Sequence, residues 1–156
     1  MERKMQKPER QLSPEATLAL LKRGDHGTLS VLGDDGYPYA TPVNYIVLND
    51  KVYLHSAPEG YKIDCLKRDS KCCFSVIVST HTVPSKITAA FESIILTGTA
   101  AFVTDRAEKQ TALETFVTQR CPGYEEIGFK MIEKLFDKTA VLRLDPVALT
   151  GKAYKG

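Results

Sequence analysis

The residues with the most chemical potential lie in one short stretch, the tripeptide His55-Ser56-Ala57 followed by Gly60 and Lys62. Residues 51–55 have the composition of a strand, and a helix is predicted to begin at Gly60. Backbone N–H groups at a helix N-terminus are unpaired and carry partial positive charge, so they attract anions. A hydroxyl, a small-residue loop and a lysine at such a junction predict a phosphate-binding site.

Motifs for other common chemistries are missing from the sequence. Lys62 does not belong to a G-x-x-x-x-G-K-[ST] run, no G-x-G-x-x-G follows a strand, and no G-x-S-x-G indicates a hydrolase. The histidines are scattered and the four cysteines lack C-x-x-C spacing, so we expect no metal site. A histidine at a strand end is more often hydrogen-bonded locally than catalytic, and spacing alone leaves both roles open for His55.

Length, charge and hydropathy exclude several classes of protein. The 156 residues predict a single domain at residues 13–156, preceded by a flexible N-terminal arm at residues 1–12. A net charge of +2 is too small to indicate nucleic acid or a membrane surface as a partner. No apolar run reaches the roughly 20 residues of a membrane span. The charged N-terminus lacks the apolar core of a signal peptide, so we expect a cytoplasmic protein.

The pattern of elements predicts a mainly β protein. Helices are predicted after Ser13 and Asp105, which are typical N-caps, and over residues 60–68 and 124–136. Ile127, Met131, Ile132 and Leu135 are expected to face inward from the last helix. Residues 79–88 read as a loop, and Gly98 as a bend in a long strand. The six predicted strands span residues 26–32, 37–47, 51–55, 72–78, 90–103 and 139–144. Their hairpin connections favour an antiparallel, closed or partly closed β-barrel with peripheral helices.

Two prolines mark the second strand as unusual. Pro38 and Pro42 have the same parity, so the N–H groups that they lack would face the same side of the strand. One interpretation is a sheet edge or a bulge. The other is that this edge faces a ligand, with neighbouring backbone groups free to bind it.

The residues in and around these elements carry a family signature. The run DGYPYATPVNYIVLNDKVYLHSAPEGYKIDCLKRDSKCCFSV, residues 35–76, resembles the pyridoxamine 5′-phosphate oxidase-like, FMN-binding split-barrel superfamily. Within that superfamily it is similar to the nitroimidazole-resistance branch. The run FESIILTGTAAFV, a helix after it and a terminal TGK agree in order, so that the resemblance covers residues 13–152.

The resemblance implies a six-stranded antiparallel split barrel that forms a homodimer, with FMN in clefts between the subunits. The backbone of Thr41, Pro42, Val43 and Asn44 would border the isoalloxazine ring. His55, Ser56 and Ala57 would follow the ribityl–phosphate part, and Lys62 would hold the phosphate. Ser93 and Lys152 are further candidates for cofactor contacts from the same or the partner subunit. His55 matches the histidine that lies near flavin and substrate in the nitroimidazole-resistance branch, and is our candidate catalytic residue.

The resemblance supports two functions. The first is an FMN-dependent oxidoreductase that takes hydride from NADH or NADPH and reduces a small acceptor such as a nitroaromatic, with His55 donating a proton or positioning the acceptor. The second is a non-catalytic protein of the same fold that binds a flavin or haem. A nucleic-acid-binding barrel with stacking tyrosines is disfavoured, because the sequence has no basic stripe.

Overall fold

The computed structural model describes residues 4–156, which form seven strands and four α-helices. The strands are β1 (His26–Leu32), β2 (Pro38–Asn44), β3 (Ile46–Leu48), β4 (Lys51–Ser56), β5 (Lys71–Val83), β6 (Thr88–Phe102) and β7 (Ala140–Tyr154). The helices are α1 (Pro14–Arg23), α2 (Tyr61–Arg68), α3 (Arg106–Arg120) and α4 (Glu125–Leu135). The predicted N-caps are confirmed: Ser13 Oγ accepts from the Ala16 N–H at 3.2 Å, and Asp105 Oδ2 from the Glu108 N–H at 2.7 Å.

The strands form one antiparallel sheet in the order β2-β1-β5-β6-β7-β4-β3. β2 and β3 are consecutive in the chain, with only Tyr45 between them, yet they lie at opposite edges of the sheet. The sheet therefore curls until its edges meet at Tyr45. This confirms the predicted antiparallel barrel with peripheral helices, and the six predicted strands become seven because the second one is divided.

The division occurs at Tyr45 because its polar groups are committed elsewhere. Its N–H donates to the Asp25 carbonyl at 3.0 Å, and its hydroxyl donates to the Leu21 carbonyl at 2.6 Å. Its own carbonyl accepts from Nε of Arg120 at 3.1 Å. Tyr45 is fully buried, so these bonds satisfy groups that would otherwise cost free energy.

Apolar side chains form two cores on the two sides of the barrel wall. The inner core fills the barrel with residues such as Leu29, Phe74, Leu96 and Leu142, and includes buried leucines of α1 and Ile63 of α2. The outer core lies between the outer face of the sheet and helices α3 and α4. It contains Ile46, Tyr53, Val141, Leu113 and Phe116. Since side chains alternate along a strand, His55 faces outward like Tyr53, beneath these helices.

The predicted loop at residues 79–88 is wrong. β5 continues through Val83 and pairs with β6 as a hairpin, with His81 opposite Ala90 and Val83 opposite Thr88. A short 3₁₀ turn at Pro84–Lys86 joins the two strands. Most side chains of this extension are exposed, so it lacks the alternating apolar pattern on which strand prediction depends.

The last strand is also longer than predicted, reaching Tyr154 instead of ending at Leu144. Pro146 suggests a stop in the sequence, but it lies opposite Gly98 where the β6–β7 register shifts. A bulge accommodates a proline without a ladder hydrogen bond. Gly98, which was predicted as a bend, lies at this register shift, and a Cβ at this position would collide with the Asp145 carbonyl oxygen.

Two further expectations concern the surface. Of the α4 residues expected to face inward, only Ile132 is buried, whereas Ile127 and Met131 are 62% and 57% exposed. Residues 1–3 of the predicted arm lie outside the described residues. Farther along it, Leu12 donates its N–H to the Gly151 carbonyl at 2.9 Å and Arg10 stacks over the Tyr154 ring, so this part rests on β7. The arm's flexibility stays a prediction.

Within residues 4–156, no helix is long and apolar enough to cross a membrane. The same part of the chain holds no group of three or more His, Cys, Asp or Glu side chains arranged to bind a metal ion.

Candidate functional site

The junction between β4 and α2 has the form that the sequence predicts. β4 ends at Ser56, a short loop follows, and α2 begins at Tyr61. Gly60 occupies the N-cap with φ of +126°, a conformation that strains other residues. No side chain caps this end of the helix, and the first N–H with a backbone partner is that of Ile63. The N–H groups at the start of α2 are therefore available to a ligand.

Two polar groups at this junction have no partner among residues 4–156. The Ser56 Oγ atom is buried without a hydrogen bond. Lys62, in the first turn of α2, forms no salt bridge within the described residues. A buried hydroxyl and a cation that both lack partners gain free energy from an anion that reaches them.

A hydrogen-bonded pair holds α2 against the β1–β2 turn. The Tyr61 hydroxyl donates to Asp34 Oδ1 at 2.6 Å and accepts from the Asp34 N–H at 3.1 Å. The bond from Tyr61 lowers the pKa of Asp34, and the same bond raises the pKa of Tyr61 to about 12. The Tyr61 ring also packs edge-on against Tyr39, with 4.9 Å between centroids. The sequence gives no signal of this anchor, because Asp34 and Tyr61 are 27 residues apart in the chain.

His55 lies on the outer face of β4 against the outer core. Its ring packs edge-to-face on Phe116, with 4.6 Å between centroids. Loss of water around the ring lowers the pKa of His55, and the positive charge of Lys62 lowers it further. At neutral pH the imidazole is therefore mainly neutral.

A pocket of about 470 Å³ opens beside His55, between the barrel wall and helices α3 and α4. His55 and Asn44 both line it, so the structure brings together one residue from β4 and one from the end of β2. Arg120 is also in the lining, and its Nη2 donates to the Gly24 carbonyl at 2.9 Å. Arg120 was not a sequence candidate, because its link to the divided strand depends on tertiary structure.

The cofactor-binding candidates at residues 41–44 lie on a sheet edge, because β2 stands at the end of the strand order and pairs with β1. This agrees with the first interpretation of the two prolines. Thr41 and Val43 are partly buried, and Val43 packs against the inner core. Pro42 and Asn44 point outward and are exposed. Only backbone and outward side chains are therefore open to a ligand here.

Ser93 and Lys152 lie apart from this group. They face each other across β6 and β7 on the outer face of the sheet. Val141, the register partner of His55, is at the opposite end of β7 from Lys152. Within one chain the structure therefore brings Asn44 and His55 to one pocket, with Ser56 and Lys62 on the adjoining β4–α2 junction, and leaves Ser93 and Lys152 outside this region.

Comparison with known proteins identifies the family. The model of the family described as pyridoxamine 5′-phosphate oxidase matches residues 13–153. This chain belongs to that family. The match confirms the superfamily that residues 35–76 indicated. No curated protein sequence matches the chain.

Solved structures share the fold at low sequence identity. A conserved hypothetical protein from Mycobacterium tuberculosis has a TM-score of 0.83 at 17% identity, covering 96% of this chain and 90% of its own. A candidate 5-nitroimidazole antibiotic resistance protein from Bacteroides thetaiotaomicron has a TM-score of 0.73 at 23% identity, with coverages of 92% and 86%. A flavocytochrome from Azotobacter vinelandii has a TM-score of 0.83 at 22% identity, with coverages of 98% and 73%. At these identities the likeness concerns the fold alone, and the nitroimidazole-resistance branch stays a prediction.

Proposed function

We propose that this protein binds FMN and acts as a nicotinamide-dependent oxidoreductase on a small acceptor such as a nitroaromatic. The observation that carries the proposal is the β4–α2 junction. There Lys62 lies in the first turn of a helix without a side-chain cap, and neither Lys62 nor the Ser56 hydroxyl has a polar partner among residues 4–156. This is the chemistry that a mononucleotide phosphate requires. Membership of the pyridoxamine 5′-phosphate oxidase family supports the choice of a flavin.

The chain's own groups would divide the tasks of binding and orientation. The N–H groups at the start of α2 and the Lys62 ammonium would bind phosphate oxygens, while the Tyr61–Asp34 pair keeps the helix start in position. The unpaired edge of β2 would present backbone groups to the isoalloxazine ring along residues 41–44. When bound, the flavin supplies transfer of hydride and electrons between a nicotinamide and the acceptor.

His55 would act on the acceptor. Because its pKa is lowered, the imidazole is mainly neutral near pH 7 and offers one N–H donor. It can therefore orient an oxygen of the acceptor by a hydrogen bond. The protonated form, which can donate a proton, increases as the pH falls below the ordinary histidine value.

A homodimer is the second part of the proposal. The outer face of β5, β6 and β7 carries small hydroxyl residues together with Ile77 and Ile95, which are 64% and 50% exposed. A second copy on this face would bury both isoleucines. Ser93 and Lys152 belong to the same face, so they would contact the cofactor of the partner subunit and not their own.

The alternative is a non-catalytic flavin- or haem-binding protein. The likeness in fold to a flavocytochrome, whose name implies both kinds of group, favours keeping this candidate. The two functions differ in their response to a reductant.

The visible absorption spectrum of the purified protein, before and after addition of FMN, tests the proposal. We expect flavin absorption bands that change on binding, and bleaching of these bands when NADH or NADPH is added without oxygen. A later addition of a nitroaromatic should restore them. Bands that persist with every donor would favour the binding protein, and a failure to bind FMN would overturn both flavin functions.

A further inference from the structure

The pocket beside His55 has properties that FMN binding does not explain. Its volume of about 470 Å³ lies within the range of small-molecule sites. Most of its wall is apolar and comes from helices α3 and α4, with Phe116, Met131 and Leu135 among the contributors. Neither helix was a sequence candidate for ligand binding.

The α4 wall of the pocket leaves apolar side chains in contact with water. Ile127, Met131 and Leu135 recur every fourth residue and all line the pocket. Ile127 and Met131 are more than half exposed. Removing these side chains from water is favourable, so an apolar body that enters the pocket is stabilised there.

The polar groups of the pocket determine which polar group a ligand can present to them. Among residues 4–156, no Asp or Glu lines the pocket and Arg120 is the one charged residue in the lining. Asn44 and His55 make no side-chain hydrogen bond within residues 4–156, and Nη1 of Arg120 also donates to nothing in that part of the chain. These groups offer N–H donors, whereas a cation would meet no counter-charge.

We infer that this pocket binds the electron acceptor, a molecule with an apolar ring body that ends in an oxygen hydrogen-bond acceptor of the quinone or nitro type. The oxygen would lie at His55 and Asn44, and the apolar body between α3 and α4. The inference rests on the proposed function, because His55 and Asn44 also border the proposed flavin site. It extends that function by assigning the choice of acceptor to the two helices.

Direct binding of 2-methyl-1,4-naphthoquinone to the FMN-free protein tests the inference without turnover. We expect saturable binding that shifts the NMR signals of His55, Asn44 and the Met131 methyl group. Met131→Trp, which fills the pocket, should weaken probe binding about tenfold or more. Ile127→Gln should weaken it by a smaller factor. The matched control is Lys134→Trp, on an exposed part of α4 outside the pocket lining, and it should change nothing.

The dissociation constant for FMN, measured on the same variants, separates this inference from the proposed function. We expect it to stay within about twofold in Met131→Trp, since the phosphate and β2 contacts are untouched. If Met131→Trp abolishes FMN binding, the pocket seats the cofactor and the inference is wrong. If the probe binds equally to all variants, or if Met131→Trp dissociates a dimer, the pocket is not the acceptor site. A parent protein that binds the probe but not FMN would overturn the proposed function instead.

Discussion

Ser56 and Lys62 stand out because their polar groups are not satisfied within the described chain. Folded proteins pair almost all buried polar groups, and the exceptions are often found where a ligand binds. Gly60 adds to this pattern, because it begins α2 without a capping side chain. The cost of these groups to the free protein should therefore be recovered when a phosphate binds.

Ser56→Ala separates stability from binding. Removing a buried hydroxyl without a partner should leave the stability of the FMN-free protein unchanged or raise it by up to about 1 kcal/mol. The same change should weaken FMN binding, because a phosphate contact is lost. Thermal melting and FMN titration measure the two effects. A clear loss of stability with unchanged FMN affinity would contradict the assigned role.

The pKa of His55 depends on the charge of Lys62. Partial loss of water around the ring lowers the pKa of His55 first and the charge of Lys62 lowers it further, so Lys62→Met should raise that pKa only part of the way to 6.5. A bound phosphate, which offsets the lysine charge, should raise it in the same direction. NMR titration of the His55 ring protons measures both shifts. Lys67→Met, at the other end of α2, is the control and should leave the titration of His55 unchanged.

The sign of the His55 effect on stability follows from its lowered pKa. Between the folded pKa and 6.5, the unfolded chain binds a proton that the folded chain does not. Stability of the FMN-free protein should therefore increase with pH across that window. Lys62→Met should narrow this pH range and reduce the increase in stability across it.

At the scale of elements, an ion-pair network attaches α3 to the barrel, and α3 lines one side of the proposed acceptor pocket. Glu108 Oε1 accepts from the Tyr53 hydroxyl and from Arg143 Nη1, each at 2.7 Å. Arg143 also bonds Asp145, which Lys51 reaches at 2.6 Å. The bonds from Tyr53 and Arg143 lower the pKa of Glu108, and burial together with Glu108 raises the pKa of Tyr53 to about 12.

Glu108→Ala should reduce the free energy of unfolding by about 1 to 3 kcal/mol, because it leaves the buried Tyr53 hydroxyl without its acceptor. Urea unfolding measures the loss. Glu126→Ala breaks an exposed pair with Lys130 and should change stability by only about 0.5 kcal/mol. Since the pKa of Glu108 is lowered, its contribution should be lost as the pH falls below the ordinary value of 4.5. Equal effects of the two substitutions at neutral pH would contradict this role.

The sequence predicts those elements whose pattern comes from one buried face. The hairpin connection expected between the predicted strands 37–47 and 51–55 is confirmed, with φ of 50° and 59° at Asn49 and Asp50. The division of the predicted second strand at Tyr45 could not be predicted. The side chain that donates to the Tyr45 carbonyl belongs to Arg120, 75 residues farther along the chain. The apolar residues of α4 were wrongly predicted to face inward, because periodicity shows that a helix has an apolar face but not whether another element covers it.

The candidate site, like the fold, could be predicted from the sequence only in part. The junction at residues 55–62 was predictable, since a strand end, a glycine and a helix start are adjacent in the chain. The Tyr61–Asp34 anchor and the convergence of Asn44 with His55 were not, because they depend on how the barrel closes.

At the scale of the whole molecule, the proposed dimer gives Ser93 and Lys152 a role. Both lie on the outer sheet face with Ile95, far along β7 from the phosphate site. Each subunit would complete the site of the other, so that FMN affinity and association are linked.

Ile95→Arg should therefore prevent dimer formation, because it would place a charge in the proposed contact, where exposed Ile95 would be buried. Light scattering should show a monomer, and FMN affinity should fall although the phosphate junction is unchanged. Thr118→Arg, an exposed residue on α3, is the control and should remain dimeric. A variant that stays dimeric, or a parent that is already a monomer, would contradict the proposed interface.

The affinity for FMN relative to riboflavin, which lacks the phosphate, tests the phosphate seat most directly. We expect the parent to prefer FMN by about 10- to 100-fold, and Lys62→Met to remove most of this preference while riboflavin binding changes little. Lys67→Met should retain the preference for FMN. Equal affinities of the parent for the two flavins, or equal weakening of both by Lys62→Met, would show that Lys62 does not bind the phosphate.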